Sequence, residues 1–563
     1  MRFFNKKKWN TEVAPDEIFL DSKNLPEFNK QQMEGRLEKP ISKNTLLITG
    51  LFFIFIISIF LFKITRLQIT NGQDYFNLAE NNSLDKELIF ADRGIIYDRN
   101  HVALAWNTIE NTEKNKKSFL HRSYIESGGF GHVLGYVGYP TKDQAGFYWQ
   151  KEFIGKDGIE KVYNSRLNGK NGLKIFETDA MGEIQSENII VPPVHGESLV
   201  LTIDSRVQTK LYEYLKSFAE KYKFIGGTSA IMDLKNGDII ALTNYPEYDS
   251  EILSSGNDQE MIKQYLVNKQ TPFLNRAVQG LYTPGSILKP IVALGALNEN
   301  IIDPLKKILS IGYINIPNKY FPDKPTRFND WKAHGWIDMK QAIAQSSDVY
   351  FYEIGGGFED QKGLGISNIE KYSKMFGINS PTGIDLPGEK FGVVPTPNWK
   401  HVNFPNDDWR IGDTYNTAIG QYGFQVTPIE VLRVAAALGD DGLLIKPHMI
   451  VGDDNISNIQ KINIPKDYFD VVHEGMRKAV TEGTASRLNL PFVKVSAKTG
   501  TAQVGYQKQF VNSWVIGFFP SDEPRYAFMT MVENGPSTNA VSVSLIMNQL
   551  LTWMNGNAPE YFN

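Results

Sequence analysis

The sequence predicts an α+β protein: an antiparallel sheet flanked by helices with an added helical subdomain, preceded by a β-rich N-terminal pedestal and tethered by a single N-terminal transmembrane helix. Three observations lead there. An uncharged run of 18 residues lies near the N-terminus. An Asn-Gly turn signal at Asn236 and Gly237 is flanked by two strand-like runs, and a second strand pair followed by a helix closes the chain.

Residues 1–43 mix "NKKK" with scattered acids and show little apolar periodicity, which reads as a cytoplasmic tail. The run Thr45 to Phe62, "TLLITGLFFIFIISIFLF", gives about 27 Å of helix at about 1.5 Å per residue, close to the thickness of a bilayer core. Phe, Ile and Leu cover every face of it, which argues against a buried core helix. The polar stretch ahead and "KITRLQITNGQ" behind offer no small-x-small cleavage site, so residues 44–66 are expected to remain as an anchor. Lys30, Arg36, Lys39 and Lys43 precede the span, whereas only Lys63 and Arg66 follow closely. That bias places the N-terminus in the cytoplasm and the rest of a single-pass chain outside the cell membrane.

From 67 to 198 short strand-like runs ("RGIIYD", "HVLGYVGY", "GLKIFET") alternate with Gly- and Asn-rich turns, the pattern of a β-rich pedestal, and "VPPVHGES" reads as its exit linker. The remaining body, 199–555, starts with the strand "LVLTID" and a helix from Ser205, whose Val207, Leu211, Leu215 and Phe218 recur at helical spacing. "SAIMDL" and "DIIALTNY" flank Lys235-Asn236-Gly237 as a hairpin, a mainly helical middle follows, and "SWVIGFFP", "RYAFMTMVEN" and "VSLIMNQLLTWM" close the chain as two strands and a helix.

Several function classes drop out. There is no cysteine, hence no disulfide, thiolate metal site or cysteine nucleophile. With Lys plus Arg at 59 against Asp plus Glu at 63, the net charge of -4 gives no electrostatic basis for binding nucleic acid. HExxH, G-x-S-x-G and GxxxxGK[ST] are absent, "GGFGHVLG" misses the dinucleotide spacing, and "IGGGF" lacks a phosphate lysine. Asp330 and His334 in "NDWKAHGW" stand at the spacing of a metal pair, but without a third ligand a structural role is the better reading, and no metal or cofactor is expected.

The chemistry centres on "LYTPGSILKP", residues 281–290. Ile287, Ile291, Leu294 and Leu297 follow helical spacing, so a helix starts near Ser286 with Pro290 in its first turn, and Ser286 and Lys289 share one face. The gap alone decides nothing, because Ser83 and Lys86 repeat it. A serine hydroxyl needs an adjacent base, and a lysine serves as one only when burial or a second cation lowers its pKa. Two further stretches supply partners: Ser346-Ser347-Asp348, 60 residues after Ser286, and Lys498-Thr499-Gly500, 152 residues after Ser346.

Ser-x-x-Lys, Ser-x-Asn/Asp and Lys-Thr-Gly in that order are close to the signature of penicillin-binding proteins and related β-lactamases. Around them, "NRAVQGLYTPGSILKP", "IDLPGEKFGVVPTP", "AIGQYGFQVTPIEVLRVAAAL", "AKTGTAQ" and "WVIGFFPSDEPRYAFMTMVENG" resemble the transpeptidase domain of class B penicillin-binding proteins over nearly all of residues 200–555. "RGIIYDRN", "HVLGYVG" and "GKDGIEKVYNSRLNGKNG" resemble the pedestal of that family. Asp348 in the middle motif, with "HVLGYVG", is similar to the elongation or rod-shape type, penicillin-binding protein 2. The 31 residues 101–131 between "RGIIYDRN" and "HVLGYVG" are fewer than the head region such members usually carry.

The resemblance implies a transpeptidase/β-lactamase-like fold and acyl transfer on peptidoglycan stem peptides: a D-Ala-D-Ala donor, an amine acceptor, and β-lactams as inhibitors. Ser286 is the implied nucleophile and Lys289 its base. Lys498 is the cation that depresses the Lys289 pKa, Ser346 the relay to the leaving amine, and Asp348 the residue ordering that network. Lys498 and Thr499 would bind the terminal carboxylate, Gly500 would let substrate approach the strand, and the backbone N–H groups of Ser286 and Thr501 would form the oxyanion hole. Implied partners are a multi-spanning glycan polymerase contacting residues 45–130 and other elongation-complex proteins. Too few residues separate anchor and catalytic region for a polymerase domain in the same chain. A β-lactam-hydrolysing or -sensing protein and a catalytically silent scaffold remain as alternatives.

Overall fold

The computed structural model describes residues 42–73, 84–109, 119–144, 146–178, 184–318, 321, 323–452, 459–539 and 541–562, so the N-terminal tail and Ser83 lie outside the described residues. The chain forms two compact units, one of Met1–Asp85 with Phe176–Ser186, the other of Lys86–Ile175 with Glu187–Asn563.

In the first unit, helix α1 (Lys43–Thr65) covers the apolar run and continues as a wider turn over Arg66–Thr70. Ser42 caps it by accepting from the Thr45 N–H at 3.1 Å. Inside it, Ser58 and Thr65 return their hydroxyls to the carbonyls of Ile54 and Leu61, both at 2.7 Å, so these two hydroxyls add no unmet donor to an apolar cylinder. Phe52, Phe55, Leu61 and their neighbours are exposed all round, and among the described residues this is the one helix long and apolar enough to cross a membrane.

The second unit holds both the pedestal and the catalytic body. Ile96–Tyr97, Ala103–Thr108 and His121–Tyr124 form an antiparallel meander, and Leu199–Val200 adds to its edge in parallel with Ile96–Tyr97. The strand expected to open the catalytic body therefore completes the pedestal sheet. Asp98 makes the join: its buried carboxylate accepts from the N–H groups of Asn100 and Val102, both at 2.8 Å, and from the Ser205 hydroxyl at 2.6 Å. Beneath the sheet, Glu160 accepts from Arg93 Nε at 2.6 Å and Arg122 Nε at 2.8 Å, all three fully buried.

Ser205 opens helix α2 (Ser205–Tyr222), whose Val207, Leu211, Leu215 and Phe218 are buried as their spacing predicts. The central sheet is antiparallel throughout and built from β1 (Gly226–Asp233), β2 (Ile239–Tyr245), β3 (Ser496–Val504), β4 (Phe510–Phe519) and β5 (Tyr526–Pro536), in the order β2-β1-β5-β4-β3. The predicted hairpin is β1–β2, and the Lys-Thr-Gly strand β3 lies at an edge. Alternate residues feed two cores, as period-two patterning requires. Ile231, Val515 and Phe528 pack with α2 and the closing helix Ser544–Asn557. Met232, Ile516 and Met529 pack with α3 (Lys289–Asn298), α4 (Met339–Gln345), α5 (Asp348–Gly356) and α6 (Pro428–Gly439). The helix that follows Ser286 is thus buried between the sheet and the helical subdomain.

Candidate active site

Ser286 lies in a tight 3₁₀ turn, Gly285–Leu288, and the α-helix proper begins at Lys289 with Pro290 in its first turn. Gly285 adopts φ +59°, a conformation that L side chains rarely take. Its N–H donates to the Gly420 carbonyl at 2.9 Å, and fully buried Trp514 donates its indole N–H to the Thr283 carbonyl at 3.0 Å. The turn is therefore held from two sides while the Ser286 side chain stays partly open.

Three separated stretches converge here. Lys289 Nζ donates to Asp348 Oδ1 at 2.6 Å, to the Ser346 carbonyl at 2.8 Å and more loosely to Ser346 Oγ at 3.4 Å, and it lies 5.4 Å from the Phe351 ring centre. Lys498 Nζ donates to Ser346 Oγ at 2.8 Å and to the Thr499 carbonyl at 2.7 Å. Both lysines are fully buried. Ser346 bridges them from a left-handed position, φ +58°, at the C-cap of α4. Ser347 caps α5, which places the Asp348 carboxylate in its first turn, where the helix dipole favours negative charge. No hydrogen bond to the Ser286 hydroxyl forms among the described residues.

Lys289 has the Asp348 carboxylate, whereas Lys498 has only neutral oxygens within hydrogen-bond reach. Burial, then the positive charge of Lys289, pushes the Lys498 ammonium well below its ordinary range, and Asp348 opposes this only partly.

At Gly500 a Cβ would come within 2.9 Å of the Pro284 carbonyl and of Ile287, so the missing side chain lets β3 lie against the Ser286 turn. A Cβ on Gly285 would in turn lie 3.1 Å from the Thr501 carbonyl. The backbones meant to supply the two oxyanion donors therefore run side by side. Thr499 and Thr501 lie on the other face of the strand, partly and fully exposed, and Thr499 donates its hydroxyl to Thr484 at 2.6 Å.

Asp330 and His334 are buried, 3.5 Å apart. Asp330 accepts from the Ser347 hydroxyl at 2.8 Å and the Val349 N–H at 3.0 Å, fixing the turn that carries Ser346 and Asp348. Burial alone would raise its pKa, but His334, Val349 and Ser347 outweigh that and hold it well below the usual carboxylate range. Among the described residues, no third His, Cys, Asp or Glu joins this pair. The one group of three is Asp441, Asp470 and His473, and there Lys466 pairs with both carboxylates.

Sequence reasoning missed the positioning role of Asp330, and missed Thr484, Gly420 and Trp514 altogether. Each acts through a contact distant in sequence that no motif spacing announces. Gln345 is similar: its amide N–H donates to the Glu482 carbonyl at 2.9 Å while the Thr484 N–H donates to the Ala344 carbonyl at 3.2 Å, tying the middle motif to the loop beside β3.

Comparison with known proteins agrees with this geometry. Residues 227–552 match the penicillin-binding protein transpeptidase domain, and residues 115–201 match the penicillin-binding protein dimerisation domain. The chain is 30% identical to the peptidoglycan D,D-transpeptidase MrdA of Haemophilus influenzae over 467 residues, 76% of this chain and 69% of that protein. It is 29% identical to MrdA of Acinetobacter baumannii over 445 residues, 74% of this chain but 63% of that protein. Among solved structures, penicillin-binding protein 2 of Helicobacter pylori in complex with MreC superposes with TM-score 0.69 at 27% identity, covering 85% of this chain and 99% of that one. Penicillin-binding protein 2 of Pseudomonas aeruginosa in complex with WCK 5153 gives TM-score 0.68 at 28% identity, covering 84% and 97%. The chain belongs to the penicillin-binding protein transpeptidases, among relatives of the penicillin-binding protein 2 type.

Proposed function

We propose that this chain is a serine D,D-transpeptidase that cross-links peptidoglycan stem peptides during wall elongation, with Ser286 as nucleophile. The observation that carries the reading is the convergence of Lys289, Ser346, Asp348 and Lys498 from three distant stretches behind one partly open serine. Of the two buried lysines only Lys289 has a carboxylate within hydrogen-bond reach, and burial with the charge of Lys289 pushes Lys498 well below the ordinary lysine range, so this reading puts the proton vacancy on Lys498.

Ser286 Oγ attacks the carbonyl of the penultimate D-Ala while its proton passes to Lys289. Lys289 has handed one of its own protons through Ser346 Oγ to Lys498, along contacts of 3.4 and 2.8 Å. The C–N bond then breaks and Ser346 returns a proton to the departing D-Ala amine. The amine of a second stem attacks the ester, the peptide bond forms and Ser286 regains its hydrogen. The N–H groups of Ser286 and Thr501 stabilise the oxyanion, each such donor contributing a few kcal/mol. Thr499, Thr501 and Lys498 receive the terminal carboxylate; Gly500 lets the strand reach the serine turn.

The same reading assigns 1–43 to the cytoplasm, 44–66 to the anchor, 67–198 to the pedestal and 199–555 to the transpeptidase body outside the membrane. Its partners would be elongation-complex proteins and a multi-spanning polymerase that supplies glycan. In the test, the full chain in detergent is treated with a fluorescent penicillin and the adduct is mapped by mass spectrometry. A long-lived adduct on Ser286, absent from Ser286→Ala, is the expected result; label on another residue, or none, sinks the assignment.

A further inference from the structure

Residues 308–310 and 335–337 form a two-stranded antiparallel ribbon whose faces differ in chemistry. On the inner face, Ile308 and Ile337 are buried, and Ser310 meets the hydroxyl of Ser347 and the carboxylate of Asp330, both at 3.4 Å. This ribbon therefore backs directly onto the turn that carries Ser346 and Asp348. On the outer face, Leu309 and Trp336 stand opposite each other in register, 43% and 63% exposed, with Ile311 following at 52%. Close by in sequence, Trp331 is 57% exposed and donates its indole N–H to the carbonyl of Gln345, the residue before Ser346.

Trp336, with Leu309 opposite it, is more than half open to water on the outer face, and Trp331, with the Lys332 ammonium 4.5 Å from its ring centre, is more than half open beside the middle motif; exposed apolar surface of this kind marks a binding site. What covers it follows from continuity with the cleft. The stem peptides that a transpeptidase joins each hang from a glycan strand, so a stem entering beside Ser346 carries its sugar backbone across this margin. An exposed indole offers a flat, rigid apolar face with few rotatable bonds, which suits the C–H face of a pyranose ring. Lys307, Arg327 and Lys332 are exposed on or next to this ribbon and its neighbour (Tyr313–Ile316 with Thr326–Asn329), and they complement the carboxylates that the stems carry.

We propose that the outer face of this ribbon, centred on Trp336 and Leu309 with Trp331 at its cleft side, is a docking platform for the amino-sugar backbone of a peptidoglycan strand. This rests on the transpeptidase reading above and adds to it a second, non-catalytic point of substrate contact. Its consequence is selectivity for polymer: a stem on a glycan gains contacts that a free stem peptide lacks.

The test uses the full chain in detergent as wild type, Trp336→Ala and Trp336→Phe. The probe is un-cross-linked glycan strands stripped of stem peptides by an amidase, scored by co-sedimentation, with fluorescent penicillin labelling of Ser286 in parallel. Wild type should bind the stripped glycan and Trp336→Ala should bind at least five-fold more weakly, with Trp336→Phe in between and all three labelling Ser286 within two-fold of one another. If wild type fails to bind stripped glycan, or Trp336→Ala binds it unchanged, the platform is refuted. A change in self-association of Trp336→Ala without a change in glycan binding would make the face a contact between copies and refute it equally. Absence of label from Ser286 in wild type would instead overturn the transpeptidase reading, so the two failures are separable.

Discussion

Two buried charge clusters in this molecule share a formula and differ in behaviour. In the pedestal, Glu160 is held between Arg93 and Arg122; in the cleft, Asp348 faces Lys289 with Lys498 behind it. Each is two cations to one carboxylate, with Glu160 fully buried and the Asp348 side chain 21% exposed. A guanidinium does not give up its proton in a protein, so the pedestal cluster keeps its charge and meets it with acceptors. Arg93 also reaches Asn164, Asn168 and the Glu160 carbonyl, and Arg122 reaches Asn107. An ammonium can give up its proton, and the cleft offers Lys498 no carboxylate of its own, so burial and the charge of Lys289 push its pKa well below the ordinary lysine range. On the reading proposed above, arginine makes a lock and lysine makes a base.

Replacing lysine by arginine in the cleft should convert one behaviour into the other. Lys498→Arg and Lys289→Arg keep the charge and remove the vacancy, and each should lower the rate of acylation by penicillin about 10³-fold, a barrier increase of roughly 4 kcal/mol. The measurement is the second-order labelling rate at Ser286, with circular dichroism to verify folding. A drop of less than about ten-fold in Lys498→Arg would show that proton transfer does not pass through that lysine.

The converse change attacks the lock. Glu160→Ala leaves two guanidinium groups buried without a counter-charge and should destabilise the chain by about 3 kcal/mol in chemical denaturation. Glu160 also ties stability to pH. Burial would raise its pKa, but Arg122 and Arg93 outweigh burial and hold it below the ordinary carboxylate range. Its contribution is therefore complete above that range and is lost as pH falls through the lowered folded value. Wild type should lose stability on acidification more steeply than Glu160→Gln.

How much of this was legible beforehand follows the same division. The motifs named Ser286 and the four residues Lys289, Ser346, Asp348 and Lys498 that the fold brings into contact, because short motifs of fixed residue type and order can be read along the chain. The anchor, the Asn-Gly hairpin and the core face of α2 were legible because period and turn chemistry are local. What escaped was whatever depends on distant packing. Which lysine has a carboxylate within reach is decided by packing, not by spacing. That Gly500 on β3 turns its empty side toward Pro284 and Ile287 was not legible either. Leu199 and Val200, expected to begin the catalytic body, pair with Ile96 and Tyr97, since a two-residue edge strand takes whatever partner lies beside it.

Asp330 sharpens the comparison from behind the site. It touches neither lysine, but it accepts from Ser347 and Val349 and so fixes the turn that sets the Ser346 hydroxyl between them. Asp330→Asn keeps the volume and loses a charged acceptor, and the predicted loss in acylation rate is about ten-fold, roughly 1.4 kcal/mol. Ser347→Ala, which removes the same contact from the other side, should add little in the double variant; full additivity would mean that the two residues act independently.

The smallest effect expected is a displacement along the pH axis. Acylation needs the vacancy on the lysine pair, so its rate should rise with pH as Lys498 loses its proton. The negative charge of Asp348 raises the Lys498 pKa against the stronger lowering by burial and Lys289. Removing that charge makes the proton easier to lose, so Asp348→Asn should move the acid limb of the profile to lower pH, by about one unit. Its plateau should fall at the same time, because Lys289 loses the acceptor at 2.6 Å that orients it. A limb that stays in place or moves to higher pH would mean that the titrating group is no cation beside Asp348, since removing a negative charge lowers the pKa of either lysine. The contrast between lock and base would then lose the lysine proton on which it rests.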